Sequence, residues 1–156
     1  MVTRGQSSVE LLLIVATILA VLSAVTVPLF TQSKEKSEEL NLISEVRVSG
    51  QQIVSLIDHV FASGPNNKRG ALVKIPCQIS ISQTDSDNDL KREMKIAFEG
   101  NEITIETILP SDCPTLSGLG QISPGVYLVT VEYIPGDCGS GNLGEISITW
   151  EKVRDV

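Results

Sequence analysis

The chain is poor in the residues that most chemistry requires. It carries one histidine, His59, and three cysteines, Cys77, Cys113 and Cys138, whose spacings include neither CxxC nor CxxxC. A zinc site takes four close Cys or His ligands, so no metal is expected, and nothing implies an organic cofactor. No G-x-S-x-G, P-loop, HExxH or dinucleotide fingerprint occurs. His59 has no partner histidine and no candidate nucleophile, which makes it a polar residue on the flank of a helix rather than a catalytic base. Basic residues are scarce as well: 12 Lys and Arg stand against 19 Asp and Glu, for a net charge of −7. Neutralising a phosphate backbone takes clustered cations, so nucleic acid is excluded as a partner. The two basic dipeptides, Lys68-Arg69 and Lys91-Arg92, read as solvated turn charges. None of the six asparagines opens an N-x-S/T sequon, so N-linked glycans are not expected. The expectation is a non-enzyme whose acidic balance suits an exported, soluble surface.

Apolar residues are plentiful, at 42%, but unevenly spread. Leu11 to Phe30 reads LLLIVATILAVLSAVTVPLF, with no charge inside it. Twenty helical residues at about 1.5 Å each reach about 30 Å, the thickness of a bilayer's hydrocarbon core. Thr17, Ser23 and Thr26 can return their hydroxyls to the preceding turn, and Pro28 is expected to kink or loosen the helix near its far end. A secretory signal peptide has a shorter apolar run and no acid at its head, where Glu10 stands. A plain single-pass anchor explains the length of the run but not the residues before it.

Those residues are Arg4-Gly5-Gln6-Ser7-Ser8-Val9-Glu10. R-G-Q-S-S-V-E running straight into a spanning helix resembles the processing site of archaeal type IV pilins, which carry a class III signal peptide. The resemblance covers roughly thirty of the 156 residues. It implies that a prepilin peptidase cuts after Gly5, that Gln6 becomes the new N-terminus, and that Glu10 is the glutamate the family uses in assembly. The partner implied for Glu10 is the new α-amine of a neighbouring subunit. Cyclisation of Gln6 to pyroglutamate would remove that amine. The leader departs from the pattern in holding one Arg rather than two basic residues. Without the resemblance, Glu10 is equally readable as an acid near a helix N-terminus, favoured by the macrodipole.

Beyond Pro28 the chain turns polar, and Ile43, Val46, Ile53, Val54, Ile57, Val60 and Phe61 recur on one helical face. Gly50 on the same side marks either close packing or a soft point, and Ser63-Gly64-Pro65 ends the helix. From Asn66 the period becomes two. Val73, Ile75, Cys77, Ile79 and Ile81 share one face of a strand in which Pro76 signals an edge or a bulge. Met94-Ile96-Phe98 and Ile103-Ile105 flank a Gly100-Asn101 hairpin turn, and Val126–Ile134 and Glu145–Trp150 add two strands, with Trp150 facing the core. About five mostly antiparallel strands laid against the helix make an α+β fold. The expected organisation is a leader over 1–5, a hydrophobic helix over 6–30, an amphipathic stalk over 31–65 and a β-rich head over 66–156.

Asp85, Asp87 and Asp89 alternate as calcium ligands do, but Leu90 replaces the EF-hand glycine and Ile96 stands at the twelfth place, so a solvated acidic turn competes with a weak Ca²⁺ site. Cys77, in phase with Ile75 and Ile79, is expected to be a buried free thiol. Cys113 and Cys138 sit in turn sequences, and outside the cytoplasm they are expected to form a disulfide closing about 25 residues, against the alternative of three reduced thiols.

The resulting expectation is a structural subunit of a pilus-like filament. Its partners are copies of itself, a prepilin peptidase, membrane assembly machinery and, before assembly, the lipid bilayer. It resides in the membrane as precursor and in a cell-surface filament when mature, with adhesion as the use that the resemblance implies. The competing expectations are a membrane-anchored extracellular binding protein and a minor or tip pilin.

Overall fold

The computed structural model describes residues 3–85, 91–110, 114–136 and 144–155, with backbone alone for 3–8, 85 and 91. Among the described residues one helix, α1 (Thr3–Ser63), precedes eight strands: β1 (Lys68–Ile75), β2 (Ile79–Asp85), β3 (Lys91–Phe98), β4 (Asn101–Pro110), β5 (Thr115–Ser117), β6 (Gln121–Ile122), β7 (Gly125–Ile134) and β8 (Glu145–Arg154). The architecture is α+β. The chain divides into two units, Met1–Asn41 and Leu42–Val156, and the boundary falls inside α1.

In the first unit the described side chains from Val9 onward are exposed. Its many β-branched residues are mediocre helix formers in water, but a helix satisfies every backbone group internally, which is what an apolar solvent demands. Thr17 Oγ1 donates to the Leu13 carbonyl at 2.7 Å and Ser23 Oγ to that of Ala20 at 3.0 Å. Thr31 Oγ1 donates to the Val27 carbonyl at 3.0 Å, next to Pro28. The helix runs through Pro28 without interruption. Proline brings no N–H, so the Ala24 carbonyl four residues earlier has lost its regular donor.

The second unit is built on two four-stranded sheets, ordered β1-β7-β8-β5 and β4-β3-β2-β6. All pairs are antiparallel except β5 with β8. Both sheets and α1 contribute to a single core, with Val46, Ile53, Val54, Ile57 and Val60 from the helix. The apolar stripe read from the sequence is therefore the face that is buried. Gly50 marks close packing: a Cβ there would run into the Cδ1 atoms of Ile96 on β3 and Ile105 on β4. The helix stops at Ser63, where Gly64 takes a φ of 85° and its N–H donates to the Phe61 carbonyl at 3.0 Å. Left-handed glycine just past the last turn is the common helix stop.

The strand pattern corrects the sequence reading in three places. The run from Val73 to Ile81 is two strands in different sheets, broken at Pro76-Cys77-Gln78. Its inward alternation survives the break because both sheets face one core, so period two could not reveal the switch. β1 does lie at a sheet edge and ends one residue before Pro76. The β3–β4 hairpin turns at Glu99-Gly100 rather than at Gly100-Asn101: Phe98 pairs with Asn101, and Glu99 and Gly100 have φ of 44° and 82°. Positive φ at both central residues is the type I′ requirement, which matches the twist of the flanking strands. Finally, neither basic dipeptide is a turn: Lys68-Arg69 opens β1 and Lys91-Arg92 opens β3. Arg92 is buried in β3, in phase with Met94 and Ile96, and its Nη1 donates to the Pro114 carbonyl. A backbone carbonyl within reach of its guanidinium lets an arginine occupy a position that the alternation alone assigns to an apolar side chain.

Four strands stand at sheet edges, β1 and β5 in one sheet and β4 and β6 in the other. An open edge invites pairing with another chain. Helix α1 ties down both long ones. Ser49 Oγ lies 2.6 Å from the Lys74 carbonyl of β1, and the Ile108 N–H of β4 donates to Asp58 Oδ1 at 3.1 Å. The remaining edges are only three and two residues long.

Candidate functional site

Three regions carried functional expectations: the N-terminal segment, the polar residues of the head, and the cysteines. The first is the one whose surroundings call for a partner. Gly5 and Gln6 fall within the α1 backbone, two and three residues after its start at Thr3. Glu10 is exposed on the same helix. It stands seven residues past the helix start, and a macrodipole acts within the first turn only. The uncut helix thus gives Glu10 no dipole benefit, and the first turn contains no acid. Cleavage after Gly5 would bring Glu10 to the fifth position, at the edge of that turn.

After Glu10 the apolar side chains from Leu11 to Phe30 lie bare: Leu12, Leu19 and Phe30, for example, are 67%, 61% and 72% exposed. This helix is long and apolar enough to cross a membrane. Leaving so many large apolar side chains in water is strongly unfavourable, at about 1.5–3 kcal/mol for each side chain that could be buried. The segment is built to be covered by lipid or by protein. It is followed by charged residues, among which Lys34 Nζ and Glu38 Oε1 lie 3.7 Å apart, both well exposed and of little energetic weight.

In the head, Asp58 and His59 share an open groove of about 350 Å³ with Gln51, Val54, Ser55, Ala62 and Ile105. Burial raises the Asp58 carboxyl above its ordinary range, opposed in part by the Ile108 N–H it accepts. His59 is exposed on the helix flank. Among the described residues no three His, Cys, Asp or Glu side chains come together as metal ligands do. Asp87 and Asp89 lie outside the described residues, and of Asp85 the backbone alone is described, at the end of β2. Trp150 is half-buried, edge-on to Tyr127 at 6.1 Å between centroids, and its Nε1 donates to the Gly118 carbonyl at 2.8 Å.

Asp58 and Ser49 have roles that sequence reasoning missed. Each is a polar residue bordering the buried stripe, which was the available signal, and each closes a sheet edge. The raised carboxyl of Asp58 gives a testable consequence. The folded chain holds this proton more tightly than the unfolded chain does. Stability therefore falls as pH rises above the ordinary carboxylate value of 3.8. Asp58→Asn keeps the acceptor for Ile108 and removes the charge. It is expected to raise the unfolding midpoint at pH 7 and to leave it unchanged at pH 3, measured by thermal denaturation of the full chain in detergent. An equal shift at both pH values would show that the carboxylate charge is not the cause.

Cys77 is a buried free thiol, its acidity lowered by burial and by the Glu99 carboxylate. Cys113 and Cys138 lie outside the described residues.

No protein-family model, curated protein or solved structure matches the chain.

Proposed function

We propose that this chain is the precursor of a structural subunit of an extracellular, type IV pilus-like filament, with no catalytic role of its own. A prepilin peptidase removes Met1 to Gly5 on the cytoplasmic side. The mature chain, beginning at Gln6, waits in the membrane on its apolar helix, and assembly machinery transfers that helix from lipid into a bundle of identical helices while the β-rich heads coat the outside. Heterologous contacts that do not close generate such helical polymers.

The observation that carries this reading is the junction at Glu10: an R-G-Q-S-S-V-E segment runs without a break into an uncovered apolar helix. The head supports it from the other side. Its core is already formed by the second unit, whose helical contribution starts beyond Asn41. The first unit is therefore free to serve something other than folding of the head. Lipid shields the helix about as well as protein does, so the gain on assembly comes from packing and from polar groups rather than from the hydrophobic effect alone.

Mass analysis of the N-terminus of protein recovered from cells, with electron microscopy of surface fibres, tests the reading. The expected chain starts at Gln6, free or cyclised, and is the protein of the fibres. Gly5→Leu is expected to leave uncut precursor in the membrane. An intact Met1, or a start near Val25, excludes the proposed processing. A Gln6 start without fibres points instead to an anchored binding protein.

A further inference from the structure

Strand β5 is the last of one sheet and β6 the last of the other, and Gly118-Leu119-Gly120 joins them. Gly118 lays this loop against β8: its φ is 80°, and a Cβ there would run into the Ile148 backbone. Side chains fix the loop and the turn after it. Trp150 Nε1 donates to the Gly118 carbonyl at 2.8 Å, and the Tyr127 hydroxyl donates to the Ser123 carbonyl at 2.9 Å. These residues, with the exposed Gln121, line a groove of about 300 Å³. That volume stands at the small end of sites for small molecules.

Part of the hydrogen-bonding capacity of this lining is unused. The Leu119 and Gly120 N–H groups donate to nothing among the described residues, and the Gln121 side chain has no partner among them. Tyr127 gives its only proton to the Ser123 carbonyl. The Ser123 hydroxyl, 2.8 Å from the Tyr127 oxygen, must then donate to it, which leaves Ser123 Oγ as an acceptor. Beside these groups stands the half-buried Trp150, held by its hydrogen bond and by edge contact with Tyr127. A ring fixed in advance loses little freedom when a ligand covers it. The Tyr127 phenol is the sole ionisable side chain of the lining, whereas the groove along α1 contains Asp58 and His59, and one at the β3–β4 turn contains Glu99. Lys152, 6.0 Å from the centre of the Tyr127 ring, lies outside the lining and is paired with Asp155.

An apolar partner would strand the two N–H groups, and unpaired donors are costly to bury. An anion would find no cation in the lining to pair with. An extended peptide docks by adding to a run of open backbone groups along a strand, and this loop offers two. The remaining ligand class brings several neutral groups, each both donor and acceptor, and a face of C–H groups that the negative face of an indole attracts. A sugar ring has both. We propose that this groove binds a neutral pyranose, stacked on Trp150 and hydrogen-bonded to the Leu119 and Gly120 N–H groups, Gln121 and Ser123 Oγ. Every lining residue belongs to the second unit, so the inference goes beyond the filament reading and holds equally for an anchored head.

The test titrates the full chain, in a detergent without a sugar headgroup, with the methyl glycosides of β-glucose, β-galactose and α-mannose. Trp150 is the single tryptophan, so its fluorescence reports on the groove directly. At least one glycoside is expected to shift that fluorescence saturably, with a dissociation constant on the order of 1 mM, the strength of a few contacts in an open site. Gln121→Ala is expected to weaken binding about threefold to tenfold, the effect of one lost hydrogen bond. Gln121 is exposed, so an unfolding midpoint close to wild type should accompany that loss. Trp150→Leu is expected to abolish binding and Trp150→Phe to keep part of it, both read by saturation-transfer NMR. No saturable shift from any of the glycosides at ten times that concentration overturns the inference. So does an affinity unchanged in Gln121→Ala, or binding of methyl glucuronide or a proline-rich peptide in place of the neutral glycosides. None of these outcomes bears on whether the chain polymerises, which the fibre experiment decides separately.

Discussion

Ile57→Ala is expected to cost the head about 2–5 kcal/mol, the usual range for emptying a buried isoleucine site. Ile57 is fully buried and belongs to the core shared by α1 and both sheets. Its helix is also held at two sheet edges, through Ser49 and Asp58, so it cannot easily sink to fill the void. Partial collapse is what lowers the cost of such substitutions, and here it is opposed. Against a typical total stability of about 5–15 kcal/mol, the loss is a third or more of the whole in the middle of these ranges. Val48→Ala on the same helix makes the comparison, because Val48 is exposed and should change stability by no more than about 0.5 kcal/mol. Urea unfolding of the full chain in detergent, followed through the single tryptophan Trp150, reads both variants. Equal midpoints for the two would mean that the helix is not part of the cooperative core.

How much of this was legible in the sequence depended on whether local periodicity carried the information. The α+β fold, the long apolar helix and the buried face of its second half followed from runs and spacings that are properties of neighbouring residues. Ile53, Ile57 and Val60 could be placed because a helical face is written at intervals of three and four. The division of the strands between two sheets could not. Ile75 and Ile79 point into the same core from different sheets, so the pattern is the same whether the chain continues or crosses over at Pro76-Cys77-Gln78. β5 and β6, at three and two residues, are too short to show any period. The hairpin turn was misplaced by one residue because a glycine can occupy either central position, and Glu99 at φ 44° is an unusual choice for the other. Arg92 was hidden for a related reason: its burial depends on the Pro114 carbonyl, a partner 22 residues away. At the N-terminus the limits are different. The residues around Gly5 and Glu10 were chosen by a resemblance and by the chemistry of a carboxylate at the mouth of an apolar helix. Their proposed partners are a peptidase and another copy, and neither is encoded in local pattern.

Glu10→Ala is expected to be cut and inserted like the wild type yet to yield at most about a tenth as many filaments. In the membrane Glu10 stands at the head of the apolar run, where an acid can remain near the interface at modest cost. In an assembled bundle of helices the same carboxylate leaves water. An unpaired buried charge costs several kcal/mol, and one well-paired charge offsets much of that cost while fixing a register. The proposed partner, the α-amine that cleavage creates on Gln6 of a neighbour, exists only after processing. Pairing would therefore make assembly conditional on the cut. Alanine removes both the cost and the pair, so a subunit with Glu10→Ala can enter the bundle but has lost the contact that sets its axial position. Glu10→Gln separates charge from hydrogen bonding. If an ion pair sets the register, Gln fails as Ala does; if Glu10 enters protonated, one of the two outcomes a cyclised Gln6 leaves open beside another partner, Gln restores assembly. Counting fibres by electron microscopy, with the ratio of precursor to mature chain measured on the same cells, distinguishes these outcomes. Wild-type fibre numbers from Glu10→Ala would reduce Glu10 to an ordinary helix residue and remove the chemical reason for its place before Leu11.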